Sequence, residues 1–284
     1  MEEVLRELKA KGVEARDAMK KVKDDLENFD TDQGQQLHFM KSKFPEVAKG
    51  WEWIQENQDQ FEKEVFGPPM ISCSVKDERY TNQLQSLLQM DDFACFTAQT
   101  KNDHRKLTHQ LYRVMSLSVS IRTCLNPLES YPTPLSREEA ADLGLDGFAI
   151  DFLDGPSPVL AMLCSDKRLH MSGVSLQDHS ESQYNALVDN GKVTQWAAAD
   201  QSYNVRRRRE YGAGAMTVIA KTIQPGPFWS SQPIDTGAKM ELQRQCTILE
   251  GEWLELKAEN KKAHARLDEI AVEMRAVDEK IVST

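Results

Sequence analysis

The chain has 284 residues, 45 acidic side chains against 35 basic ones, a net charge of −10, and a mean hydropathy of −0.57 with 40% apolar residues. That length admits one large domain or two small ones, and the low hydropathy points to a chain that is partly elongated and solvated on most sides. The charge excludes a surface that is basic all over, as needed to coat nucleic acid or an anionic membrane, but leaves room for a local basic patch.

The opening Met1-Glu2-Glu3-Val4-Leu5-Arg6-Glu7 lacks the basic and apolar regions of a signal peptide. No apolar run approaches the roughly 20 residues of a bilayer span, so no membrane partner is expected. Cys73, Cys95, Cys124, Cys164 and Cys246 are scattered without a Cys-x-x-Cys, and the six histidines include no His-x-x-x-His. Neither a disulfide framework nor a zinc site is expected, and the thiols read as buried and reduced.

In chain order, the first element is a heptad seam of Leu5, Leu8, Gly12, Ala15, Met19, Val22, Leu26 and Phe29, thin at Gly12 and Ala15. Breaks follow at 30–36 and 42–46, and a further helix opens near Pro45 with Val47, Trp51, Ile54, Phe61 and Val65. Residues 1–66 are therefore expected to form an interrupted N-terminal coiled-coil arm. Ten of the eleven prolines lie between Pro68 and Pro233, and proline disrupts helix interiors, so the middle is globular.

A βαβαβ rhythm is expected over 67–125, with strands at 71–75, 94–98 and 117–121 and helices at 80–90 and 101–115. A proline-rich connector spans 126–135, and Ser136-Arg-Glu-Glu139 is a capping box that opens a short helix. The second lobe, 136–235, reads as helices at 158–165 and 181–189 with strands near 173–176, 203–208 and 216–223. From 236 to 284 the seam resumes through Leu242, Cys246, Leu249, Trp253, Leu256, Asn260, Ala263, Leu267, Ile270, Met274, Val277 and Ile281. The predicted fold class is an α/β (α+β) globule of two lobes, inserted between the two arms of an antiparallel intramolecular coiled coil.

That layout resembles the hinge region of the structural maintenance of chromosomes (SMC) family. Phe66-Gly-Pro-Pro-Met-Ile-Ser-Cys-Ser-Val, Asp92-Phe-Ala-Cys-Phe-Thr-Ala-Gln-Thr, Gly144-Leu-Asp-Gly-Phe-Ala-Ile-Asp-Phe-Leu-Asp-Gly-Pro, Val159-Leu-Ala-Met-Leu-Cys and Arg206-Arg-Arg-Arg-Glu-Tyr-Gly-Ala-Gly-Ala-Met carry the likeness, which is of a fungal type and runs from about Pro45 to Gly237. The resemblance implies an SMC hinge that pairs with the hinge of a different SMC chain and binds DNA, preferentially single-stranded. It further implies other subunits along the arms, a place on nuclear chromosomes, and a role in DNA repair, recombination and chromosome maintenance. It also implies a fragment whose Met1 starts inside a coil. The ATP-binding heads of such chains are not expected here, since no Gly-x-x-x-x-Gly-Lys-[Ser/Thr] loop is present.

Arg206, Arg207, Arg208 and Arg209 supply a quarter of the cations of residues 66–235, which hold 16 Lys+Arg against 19 Asp+Glu. In an extended strand Arg206 and Arg208 point to one face and Arg207 and Arg209 to the other, so neither face is a dry core. Phosphate is the expected ligand, with Tyr203 or Tyr211 stacking on bases and Lys192 and Lys221 extending the patch. The competing reading pairs the arginines with Asp142, Asp146, Asp151 and Asp154, or with a partner chain.

Tyr211-Gly212-Ala213-Gly214-Ala215 allows close backbone approach, either as a tight turn or as a contact surface. The resemblance implies a dimer seam through Tyr211, Gly212, Gly214 and Met216, although the family's usual paired glycines are replaced by Met216-Thr-Val-Ile-Ala-Lys-Thr-Ile. No catalytic pair, cofactor fingerprint or metal cluster is read in the sequence, so no enzyme and no cofactor are expected. The rival reading is a coiled-coil scaffold whose α/β insert binds only protein.

Overall fold

The computed structural model describes residues 2–29, 31–207, 216–229 and 236–282. Two compact units divide the chain, one of Met1–Gln35 with Asp235–Thr284 and one of Gln36–Ile234.

The first unit is a helix pair, α1 (Glu2–Phe29) against α11 (Thr236–Val282), rich in Glu, Lys, Leu and Ala and free of proline. Leu8, Gly12, Ala15, Met19, Val22 and Leu26 on α1 are half-buried between exposed neighbours. On α11, Leu242 and Cys246 are buried, and Leu249, Trp253, Leu256, Asn260, Ala263, Leu267 and Ile270 are half-buried. Every described seam position therefore faces inward; Leu5, Phe29, Met274, Val277 and Ile281 lie outside the described side chains. Lys23 Nζ meets Glu250 Oε1 at 2.6 Å with both side chains nearly half exposed, so the pair sets antiparallel register more than it stabilises.

Helix α1 ends at Phe29, α2 is Asp32–Lys43, and the helical run breaks at Phe44, where Pro45 occupies the first turn of α3 (Pro45–Glu56). The expected N-terminal arm of 1–66 differs from what forms, because the globular unit begins at Gln36. Met40, Val47, Ala48, Ile54 and Val65 are buried in that unit's core. Helix α3 ends at Glu56, so Phe61 and Val65 lie beyond the helix expected to carry them, and the helical period of Val47 and Ile54 faces a globular core, a distinction that periodicity alone does not make.

In the globular unit β2 (Cys95–Ala98), wholly buried, pairs in parallel with β3 (Ser120–Thr123). The crossover is α7 (Lys101–Leu107), which continues as a π-helical stretch over Thr108–Val114. The third strand expected at 71–75 is a correction. Pro69 opens a four-residue helix, α4 (Pro69–Ser72), leaving only β1 (Ser74–Val75), which pairs antiparallel with β5 (Leu153–Asp154). The expected helix at 80–90 divides into α5 (Thr81–Ser86) and α6 (Met90–Phe93).

Residues from beyond the connector join this first core. Helix α9 (Ser157–Lys167) buries Val159 to Cys164 without interruption against it, and Phe228 stacks on Phe93 at 4.0 Å while the Trp229 indole N–H donates to the Pro69 carbonyl. The cores therefore do not follow the expected lobe boundary at 126–135.

The second core lies on one face of a five-stranded sheet in the order β4 (Gly147–Phe148), β6 (Ser172–Ser175), β7 (Gln195–Ala198), β8 (Gln201–Arg207), β9 (Met216–Thr222). Only β6 and β7 run parallel, joined through α10 (Glu181–Asn190). Helix α8 (Arg137–Asp142) starts at the capping box read from the sequence, with Ser136 Oγ accepting from the Glu139 amide and Glu139 accepting from the Ser136 amide. Gly144 turns the chain toward β4 with φ +80°, where a Cβ would fall 2.8 Å from the Gln183 side chain and 2.9 Å from that of His179.

Candidate nucleic-acid interface

The alternation of β8 decides where each predicted cation points. Trp196, Tyr203, Val205, Met216 and Val218 face the second core beneath α10. The register Ser202↔Lys221, Asn204↔Ile219 and Arg206↔Thr217 puts the other set on the opposite face. There Ser202, Asn204, Arg206, Ile219 and Lys221, with Gln195, line a recess of about 230 Å³ rimmed by the turn Ser86–Gln89 that follows α5.

Arg206 and Lys221 are exposed, and neither has a carboxylate partner among the described residues. They are separated by four positions of the ladder, about 13 Å along the strands. The hydroxyl and amide groups of Ser202, Asn204 and Gln89 lie around them, with Leu87, Leu88 and Ile219 as apolar surface.

The other predicted cations lie elsewhere. Arg207, one residue on, points to the opposite face, where its Nη2 donates to the Val188 carbonyl in the last turn of α10. It closes a helix C-terminus, a position that favours a cation. Lys192 follows α10 and lies near Glu139, whose carboxyl is held below its usual range chiefly by the Ser136 backbone amide and to a lesser degree by Lys192. Of the expected patch, then, the fold brings together Arg206 and Lys221 and separates Arg207 and Lys192. Arg208, Arg209, Tyr211, Gly212 and Gly214 lie outside the described residues.

Tyr203 is half-buried and contributes to the lining of the recess, while its ring packs toward the second core. Its ring stacks on Trp196 at 5.0 Å and 19°, with Tyr184 edge-on at 5.6 Å, and burial raises its hydroxyl pKa. Met216, opposite Arg207, is half-buried against the same core on β9, whose outer edge has no strand partner among the described residues.

Among the described residues, no ion pair joins the acidic stretch to Arg206 or Arg207. Asp146 accepts from the Tyr80 hydroxyl at 3.1 Å and the Leu176 amide at 2.8 Å, and Asp151 accepts from the Phe148 amide at 3.0 Å. No group of three His, Cys, Asp or Glu residues is placed to hold a metal ion among the described residues. All five cysteines are free and buried, and burial pushes Cys73, Cys95 and Cys164 up to about 12, far from the thiolate a nucleophile needs. Sequence reasoning passed over Gln89, Ser202, Asn204 and Ile219. The period-2 pairing with Arg206 marks Ser202 and Asn204, but the Ser86–Gln89 rim is visible only in the fold.

No family model matches the chain. Structural maintenance of chromosomes protein 5 of Schizosaccharomyces pombe is 24% identical over 264 residues, which cover 87% of this chain. The match covers 24% of the relative, so the chain spans about a quarter of that protein's length. The hinge domain of S. pombe Smc5/6 superposes with a TM-score of 0.65 at 21% identity, covering 92% of this chain and 98% of that one. The Pyrococcus furiosus Smc hinge domain with an extended coiled coil gives a TM-score of 0.43 at 14% identity, over 96% and 92% of the two chains. The chain thus has the fold of an SMC hinge domain and is similar in sequence, over 87% of its length, to structural maintenance of chromosomes protein 5 of S. pombe.

Proposed function

We propose that this chain is a hinge module of an SMC complex, which pairs with the hinge of structural maintenance of chromosomes protein 6 and binds DNA, single strands in preference to duplex. The observation that carries DNA binding is the pair of exposed cations without carboxylate partners, Arg206 and Lys221, set in a polar recess on the open face of β8 and β9. Each is positioned to meet a different phosphate of one strand. A recess of about 230 Å³ accepts a base or part of a nucleotide, which favours an unpaired strand. Base contact falls to Leu87, Leu88 and Ile219, beside Tyr203, whose ring is stacked on Trp196.

Pairing with a second hinge is supported by the hinge fold and by the open edge of β9, which can accept a strand through main-chain hydrogen bonds. In this reading the protein works on nuclear chromosomes in repair and recombination, and the ATP chemistry of the full-length protein belongs outside these residues. Reversing Arg206 and Lys221 to Glu together is expected to weaken binding of a labelled single-stranded oligonucleotide and to reduce the slope of log affinity against log salt by roughly 1 to 2. Unchanged affinity and slope would remove this recess from the DNA site and favour the scaffold that binds only protein.

A further inference from the structure

The helix pair carries a defect on one side only. Stepping by sevens in opposite directions from Lys23–Glu250 sets Arg16 across from Lys257, a like-charged pair at positions that normally hold opposite charges. The same register sets Gly12 across from Ala263 and Asn260 across from Ala15 in the seam, so two adjacent layers hold only small or polar side chains. A Cβ added at Gly12 would meet nothing within 4 Å.

The consequence is a cleft of about 470 Å³. Its apolar lining comes from Leu8, Val13, Trp253 and Leu256, and its rim from Lys9, Arg16, Lys257 and Lys261. Val13 is 53% exposed although apolar. None of the four rim cations has a carboxylate partner among the described residues, and Lys257 lies over the Trp253 ring at 4.9 Å. The opposite flank of α11 carries the exposed Glu252, Glu255 and Glu259, so charge is segregated across the pair.

We infer that this cleft docks an acidic amphipathic helix of another protein, whose large apolar side chain fills the space beside Gly12 and Asn260 while its carboxylates meet Lys9, Arg16, Lys257 and Lys261. The occupant completes locally a three-helix packing that the two helices leave open. Charge complementarity selects it. A phosphate backbone would leave the apolar floor uncovered, and a two-fold pairing of this face with its own copy would bring the rim cations against one another.

The probe is a labelled synthetic helix of acidic residues with Leu and Trp on one face, titrated into the 284-residue chain. A control peptide of the same composition has the apolar face scrambled. Saturable binding of the first peptide over the second is expected. Gly12→Leu should abolish it by filling that space and should raise the melting temperature of the helix pair. Lys257→Glu, which gives Arg16 an opposite charge, should weaken it roughly tenfold and leave the fold intact.

Equal binding of the scrambled peptide, or binding that both variants leave unchanged, overturns the inference. So does binding of a single-stranded oligonucleotide, but not the peptide, that is lost in the same variants. Self-association of the unmodified chain that the variants abolish would assign the cleft to a second copy instead.

Discussion

Asp92 is fully buried, and its carboxylate ties together three elements. It accepts from the Gln89 amide at 2.7 Å at the start of α6, from Arg122 Nη2 at 2.6 Å on β3, and from Lys167 Nζ at 3.1 Å at the end of α9. A carboxylate taken out of water is tolerable only with such partners, and removing one strands the charge. Arg122→Met is therefore expected to lower unfolding stability in urea by about 3 kcal/mol, even with Lys167 retained. Adding Asp92→Asn should cost less than the sum of the two single changes, because the charge to be compensated is then gone. A loss below the range of ordinary surface substitutions would contradict the role.

The same contrast between neighbours separates Arg206 from Arg207. In the sequence both were equal members of a four-arginine run, and the expectation that alternate arginines face opposite ways followed from strand geometry alone. Which face was free did not follow, since it depends on where α10 packs. For Tyr203 the sequence does not say how its ring is used, because a tyrosine beside arginines looks alike whether its ring meets a base or stacks on Trp196.

Among the elements, those with strong local signals were legible. The capping box at Ser136, the helix of 181–190 and the last two strands of the sheet fall close to their expected places. Ser136→Ala removes the acceptor of the Glu139 amide and should cost about 1 kcal/mol in thermal or urea unfolding. No change on substitution would mean that tertiary packing, not the cap, holds α8.

Elements with weak or conflicting local signals were missed. Strand β7 is Gln-Trp-Ala-Ala, poor in β-formers, and exists because β6 and β8 pair on either side of it. At Ile71–Val75 strand-like composition yields to the Pro68-Pro69 start of α4. The seam of the helix pair was legible over its described side chains, because a seven-residue repeat leaves little freedom once both strands are helical.

At the scale of the molecule, the acidity read from composition does not oppose nucleic-acid binding. Residues 1–65 and 236–284 carry net charges of −5 and −2, and 66–235 carry −3, so most of the −10 belongs to the flanks. Within the hinge fold the sign of the local surface is set by a few side chains, and Arg206 and Lys221 stand on a face that carboxylates leave unpaired. Of the two predicted lysines, Lys221 lines the recess and Lys192 lies in the turn after α10 near Glu139, which makes them internal controls for one another. Acetylation of lysines by a limiting reagent, read by mass spectrometry with and without saturating single-stranded DNA, compares them directly. Protection of Lys221 with Lys192 unaffected is the predicted result; protection of Lys192 alone, or of neither, would contradict the assignment of the β8–β9 face to DNA.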